Sequence, residues 1–117
     1  MNKKINSKNY KKRFLLSWQF KKCRLELCSF RKTKISSTKF IDCLIKETDF
    51  TDADLTDVNF RESDLEKSIF LNTNLSNAKF IGARNYLIDP NKNKITKARF
   101  SAPEALALLD FFDIIVE

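Results

Sequence analysis

The sequence predicts an all-β solenoid, and three observations carry that expectation. Every residue numbered as a multiple of five from Phe20 to Phe80 is a large apolar side chain. From Cys23 to Ala83, the residue two places before each multiple of five is small. The large residues also alternate, with Phe at every tenth position and Leu or Ile between.

The large column reads Phe20, Leu25, Phe30, Ile35, Phe40, Ile45, Phe50, Leu55, Phe60, Leu65, Phe70, Leu75 and Phe80. At a large-apolar frequency of about one in four, such an unbroken run has a chance below one in ten million. The small column runs Cys23, Cys28, Thr33, Thr38, Cys43, Thr48, Ala53, Val58, Ser63, Ser68, Thr73, Ala78 and Ala83. Residues two apart on extended backbone point to the same side. Each five-residue unit therefore turns one large and one small side chain inward and leaves three outward. A period of five fits neither a helix at 3.6 nor a flat strand at 2. It calls for a short extended piece and a corner, repeated, which is one side of a solenoid.

The alternation sets the number of sides. An even number per coil stacks Phe on Phe and Leu or Ile on its like. Two sides leave no interior, so four are expected, with Phe20, Phe40, Phe60 and Phe80 in one column. Thirteen units then give about three to four coils, roughly 16 Å of stack at ~4.8 Å per coil.

The units Ala53-Asp54-Leu55-Thr56-Asp57, Ser63-Asp64-Leu65-Glu66-Lys67 and Thr73-Asn74-Leu75-Ser76-Asn77 resemble the A(D/N)LXX repeat of the pentapeptide-repeat family. The resemblance covers residues 18–84. It implies a right-handed quadrilateral parallel β-helix with four units per coil. It also implies a binding role, and more distantly the branch whose members protect DNA gyrase from quinolones by resembling DNA in shape and charge. The earliest units depart from the pattern, because Lys8, Arg13 and Trp18 stand where small residues belong. Regular coils are expected from about residue 20.

Past Gly82 the repeat decays through Asp89-Pro90-Asn91, a turn signal. Ile95, Ala98 and Phe100 then resume the frame, so an irregular last coil is expected, with Ala98 on Ala78 and Phe100 on Phe80. Ser101-Ala102-Pro103-Glu104 reads as a capping box with Pro in the first helical turn. It predicts a short C-terminal α-helix to about Phe112, with Leu106, Leu109 and Phe112 on one face. That helix closes the open end of the stack or joins two copies into a homodimer, as the ends of some family members do. The expected organisation is a basic arm over 1–17, the β-helix over 18–84, and the last coil with its helix over 85–117.

Charge is uneven along the chain. The formal net charge is +7, yet nine of the twenty-two Lys and Arg lie before residue 25 with no acid among them. The rest of the chain holds thirteen bases against fifteen acids. The arm residues Lys3, Lys4, Lys8, Lys11, Lys12 and Arg13 are candidates for binding nucleic acid or an anionic membrane. Tyr10, Phe14, Trp18 and Phe20 interleave with the basic residues of this region, as base stacking would want. The plainer role is a solubilising end, or a cap with Trp18 over the first coil. Residues 47–66 show the opposite sign, with Glu47, Asp49, Asp52, Asp54, Asp57, Glu62, Asp64 and Glu66 against Arg61 alone. They are a candidate acidic interaction face, against the plain alternative of a solvated surface.

Several function classes are disfavoured. The absence of His removes the commonest general base and metal ligand. With one Gly, a glycine-rich phosphate loop is not available. Cys23, Cys28 and Cys43 fall in the inward small column, where Cys serves as compact apolar filling rather than as a metal or redox site. No catalytic residues, metal or cofactor are expected. No signal peptide or membrane span is visible, so the cytoplasm is the expected location. The expected function is a non-catalytic binding or scaffold protein with a protein partner, a DNA topoisomerase being the partner that the resemblance suggests. The alternatives are nucleic-acid or membrane binding through the arm, and a shortened family member with reduced function.

Overall fold

A computed structural model describes Lys4–Ile5 and residues 18–117. Its strands are short: β1 (Lys4–Ile5), β2 (Gln19–Lys21), β3 (Arg24–Glu26), β4 (Lys39–Ile41), β5 (Leu44–Lys46), β6 (Lys79–Phe80) and β7 (Arg99–Phe100). All of them pair in parallel and all at one offset. Phe20 lies beside Phe40, Leu25 beside Ile45, and Phe80 beside Phe100. Single bridges carry the same offset elsewhere, from Ser29 with Asp49 to Asn74 with Lys94. The rung therefore repeats every twenty residues, and each turn holds four five-residue units. Backbone hydrogen bonds run between turns, as from Phe40 N–H to the Asn59 carbonyl (2.7 Å) and from Asp64 N–H to the Cys43 carbonyl (2.9 Å).

The thirteen large residues from Phe20 to Phe80 are all buried. In the first column, Phe20, Phe40, Phe60, Phe80 and Phe100 stack with ring centroids 5.0–5.2 Å apart. Phe30, Phe50 and Phe70 stack likewise, and the two columns meet edge to face across the interior, as between Phe50 and Phe60 (5.8 Å, 78°). Aromatic rings favour both arrangements through their quadrupoles. The Phe alternation in the sequence is thus a pair of ring columns set against two aliphatic ones.

The corners follow one rule. The second residue after each large one has positive φ in every unit from Lys22 (53°) to Asn77 (61°), and Gly82 continues the series at 74°. Most corners close a β-turn in which the small residue's N–H donates to the large residue's carbonyl, as Thr33 to Phe30 and Ala53 to Phe50. With only the third turn residue left-handed, this is a type II turn. At three other corners a side chain one turn further along takes the N–H instead. Cys43 N–H donates to Ser63 Oγ (3.0 Å), Thr48 N–H to Ser68 Oγ (3.2 Å), and Thr73 N–H to Asn93 Oδ1 (2.9 Å).

Two expectations about the ends are corrected. The pairing begins before residue 20, because β1 lies beside β3 in the same register, Lys4 with Arg24 and Ile5 with Leu25. Ile5 stands at a multiple of five, in frame with Leu25, although the small column fails at Lys8 and Arg13. At the other end the segment Glu104–Phe112 is a 3₁₀-helix rather than an α-helix. Pro103 is its N-cap and no side chain caps it. The Ser101 hydroxyl accepts from Gly82 N–H (3.1 Å) instead of from the helix, so the capping box does not form.

Between Arg84, which pairs with Asp64, and Lys94 the frame slips by one. Asn85 takes a left-handed corner (φ 59°) and Tyr86, not residue 85, turns inward. Tyr86 packs between Phe80 and Phe100 (5.5 and 5.6 Å), and Ile88 fills the space beyond. Phe100 then rejoins its column.

Candidate functional site

The residue before each large one explains the Asp and Asn of the repeat. Asp54 Oδ1 accepts from Thr56 N–H (3.0 Å) and from Thr56 Oγ1 (2.6 Å). Asn74 does the same with Ser76, and Asp49 with Thr51. Asn59 accepts from Arg61 N–H and Asp64 from Glu66 N–H. These are Asx turns, which satisfy a backbone donor that the corner leaves free. The sequence signal was the pairing of Asp or Asn with Thr or Ser two residues on.

That use divides the acidic candidates. Asp49, Asp54 and Asp64 are half-buried and hold turns. Partial burial pushes the Asp49 carboxyl up, but the Thr51 hydroxyl and N–H together with Arg31 outweigh it and hold it below the ordinary carboxylate range. Glu47, Asp52, Asp57 and Glu62 stand at left-handed corners. Asp52 accepts from Asn72 Nδ2 (2.7 Å), and the Glu62 carboxylate lies over Gly82. Because a turn is twenty residues long, residues 47–66 pass once around the solenoid. The eight acids form a belt, not a face, and the side bearing Phe60 shows Asn59 and Arg61 between its corners. The candidate acidic surface is therefore a band around one full coil, spread over its four sides.

The small column does more than fill space. Ser63 Oγ donates to the Phe40 carbonyl (2.6 Å), Ser68 Oγ to Ile45 (2.8 Å), Thr73 Oγ1 to Phe50 (2.8 Å) and Thr48 Oγ1 to Leu25 (3.2 Å). Each bond ties one turn to the turn before it. Cys43 Sγ makes the weaker equivalent to the Phe20 carbonyl (3.4 Å). Burial, with Cys23 close by, pushes the Cys43 thiol up to about 12. Cys23, Cys28 and Cys43 are all free and buried. Outside them, Lys22, Arg24, Asp42, Asp64 and Arg84 line an open groove of about 410 Å³ whose polar groups alternate in sign. Among the described residues, no three His, Cys, Asp or Glu cluster as metal ligands.

At the C-terminal end, Leu108 packs against the core while Leu106 and Phe112 are exposed and Leu109 is half-buried. A 3₁₀-helix has three residues per turn, so the 105/108 ridge and the 106/109/112 ridge lie roughly 120° apart. Seating the first turns the second toward solvent. Phe111, Ile114, Ile115 and Val116 are exposed as well. At the other end Trp18 is half-buried and tilted on Phe20 (5.8 Å). The arm candidates Lys3, Lys8, Lys11, Lys12 and Arg13, with Tyr10 and Phe14, lie outside the described residues. Lys4 is described only as backbone of β1. No helix among the described residues is long and apolar enough to cross a membrane.

A column-stacked core, inter-turn backbone pairing and left-handed corners every five residues define a repeat protein of the parallel β-solenoid class. The chain belongs to the pentapeptide-repeat family, whose model, described as a pentapeptide repeat region, matches residues 5–85. Among solved structures it is similar to HetL, a pentapeptide repeat protein involved in heterocyst differentiation regulation from the cyanobacterium Nostoc sp. strain PCC 7120. That likeness has 16% identity and a TM-score of 0.56, over 72% of this chain and 44% of HetL. It is also similar to Rfr23 from the cyanobacterium Cyanothece 51142, with 12% identity and a TM-score of 0.43 over 72% and 60% of the two chains. A trypsin-treated form of QnrB1, a plasmid-mediated fluoroquinolone resistance protein, gives 16% identity and a TM-score of 0.36 over 85% and 68%. The chain thus spans less than half the length of HetL. No curated protein matches it in sequence.

Proposed function

We propose that this protein is a non-catalytic scaffold that binds a protein partner along the outside of a right-handed, four-sided β-helix. The observation that carries the reading is the fate of the inward polar side chains. Ser63, Ser68, Thr48 and Thr73, the groups that would otherwise supply nucleophiles, donate to backbone carbonyls of the neighbouring turn. What remains for function is the surface.

A DNA topoisomerase is the partner class that membership of the family brings forward. The test is a supercoiling assay with DNA gyrase, titrating this protein with and without a quinolone. Inhibition, or protection from the drug, at micromolar protein supports the reading. No effect at any ratio removes gyrase as the partner.

The apolar C-terminal end adds a homodimer to the proposal. Leu106, Phe111, Phe112 and Ile115 are exposed together there, and such a cluster at the end of a solenoid suits a second copy of itself. Light scattering distinguishes the outcomes: a dimer that Phe112→Asp converts to monomer supports it, and a monomer at high concentration ends it.

A further inference from the structure

The twenty-residue rung sorts the charges of the body by side, and the result is invisible along the chain. On the side carrying Phe20, Phe40, Phe60, Phe80 and Phe100, the outward positions flanking each ring hold Lys21, Lys39, Arg61, Lys79 and Arg99, and no acid. All five cations are exposed. None takes part in either ion pair among the described residues, which are Arg24–Glu26 and Arg31–Asp49. Each of the other sides carries acids in these positions: Glu26, Asp64 and Glu66 on one, Asp49 on the next, and Asp54 on the third. On the basic side, acids occur only at the corners, at Asp42 and Glu62 on one edge and Asp57 on the other. Lys97 joins the corner next to Arg99.

We propose that this side of the solenoid binds the phosphodiester backbone of a nucleic acid, which goes beyond the scaffold reading and does not depend on it. The geometry decides the class of polyanion. Flanking positions two residues apart on a strand are about 7 Å apart, and the strip rises through four rungs, about 19 Å. A line that long and narrow follows a single phosphate chain. A membrane plane would instead reward breadth and exposed apolar side chains. The apolar residues of this strip, Ile41 and Ile81, are half-buried between turns. Asn59, standing in the strip between Lys39 and Lys79, offers a neutral partner for phosphate or sugar oxygens. No exposed aromatic or base-reading element lies on the strip, so binding is independent of sequence and strongly dependent on salt.

The experiment uses the full chain and three variants: K39Q/K79Q/R99Q on the strip, a Gln substitution of the six arm bases, and both together. The three substituted strip residues are exposed, and a thermal melt verifies that each variant is folded. Binding to a labelled 20-base-pair DNA duplex and to the same-length single strand is followed by anisotropy across salt concentrations. The strip variant is expected to lower the slope of log K against log salt by about 2.7 for duplex and about 2.1 for single strand. It is expected to weaken binding at 50 mM salt more than about tenfold. The arm variant is expected to keep a residual slope that the combined variant lowers by the same amount as the strip variant lowers the parent's. Either nucleic acid responding in this way supports the proposal, and the larger loss identifies the preferred form. An unchanged slope in the strip variant overturns it, as does absence of binding at low salt. Vesicles of anionic phospholipid that bind more tightly than either nucleic acid, through the same three residues, overturn it in favour of a membrane.

Discussion

Ser63 Oγ donates a 2.6 Å hydrogen bond to the carbonyl of Phe40, twenty-three residues earlier and one turn away. The same oxygen accepts from Cys43 N–H, so a single hydroxyl closes the corner that Phe40 begins. Ser63→Ala removes both bonds. Where Ala or Val lies one turn further along, as for Thr33 and Thr38, the N–H bonds within its own turn instead. The Phe40 corner has that escape. The substitution is therefore expected to cost about 1 kcal/mol, the lower end for a lost buried partner. For a domain of this size that lowers Tm by about 4–8 °C, measurable in a thermal melt.

The ring column is less forgiving. Phe60 stacks on Phe40 and Phe80 at 5.2 Å and meets Phe50 and Phe70 edge-on. Phe60→Ala opens a cavity walled by four rings that are themselves fixed by backbone pairing. Its expected cost is about 3–5 kcal/mol. Denaturant unfolding checks it, and a melt unchanged from the parent would contradict the register.

The five-residue frame was legible because burial imposes it on every unit: a large residue at each multiple of five and a small one two before. The hydrogen-bond role of the small column was not, because Ser63, Cys43 and Ala53 satisfy the size requirement equally well. Nor was the left-handed corner, since Lys22, Leu27 and Glu47 occupy positions where backbone preference would choose Gly or Asn. Cross-turn pairing overrides local preference there. The slip to Tyr86 escaped because it is a local displacement by one residue, recovered by Lys94, and it leaves no motif. The basic side escaped because its members are spaced by nearly whole turns, while a net charge averages over all four sides.

That override has a cost at Leu27. Its φ is 54° and its side chain is 72% exposed, so it holds a left-handed conformation without burying its apolar surface in return. Asn tolerates this region, and Asn72 and Asn77 occupy equivalent corners. Leu27→Asn is expected to stabilise the protein by about 0.5–1 kcal/mol. Calorimetry should show a raised Tm, and a lowered one would mean that Leu27 has a packing role.

Acid should loosen the second Phe column through Asp49. Its carboxyl is held below the ordinary value of 3.8 in the folded protein, so folding favours the ionised form. The stabilisation is complete above that ordinary value and is lost as pH falls from it through the lower folded value. Asp49→Asn keeps an oxygen for Thr51 but carries no charge to titrate. The variant is expected to lose less stability than the parent as pH drops below 3.8, when unfolding is followed against pH.

Tyr86 gives the opposite pH dependence. Its hydroxyl is buried in the last coil with no hydrogen-bond partner, while its ring packs between Phe80 and Phe100. Burial, and secondarily Glu104, raise its pKa above 10.0, so folding favours the neutral phenol. That preference is complete below 10.0 and turns into lost stability as pH rises through that value toward the folded one, because the unfolded chain ionises first. Tyr86→Phe keeps the ring contacts and removes both the orphaned hydroxyl and the titration. It is expected to raise stability at neutral pH by about 1 kcal/mol, the penalty of an unpaired buried polar group. It should also flatten the decline in alkali. Melts of parent and variant at pH 7 and above pH 10 separate these effects. A less stable variant at pH 7 would mean that the hydroxyl is bonded after all, and that the end of the solenoid closes more tightly over Tyr86 than its packing implies.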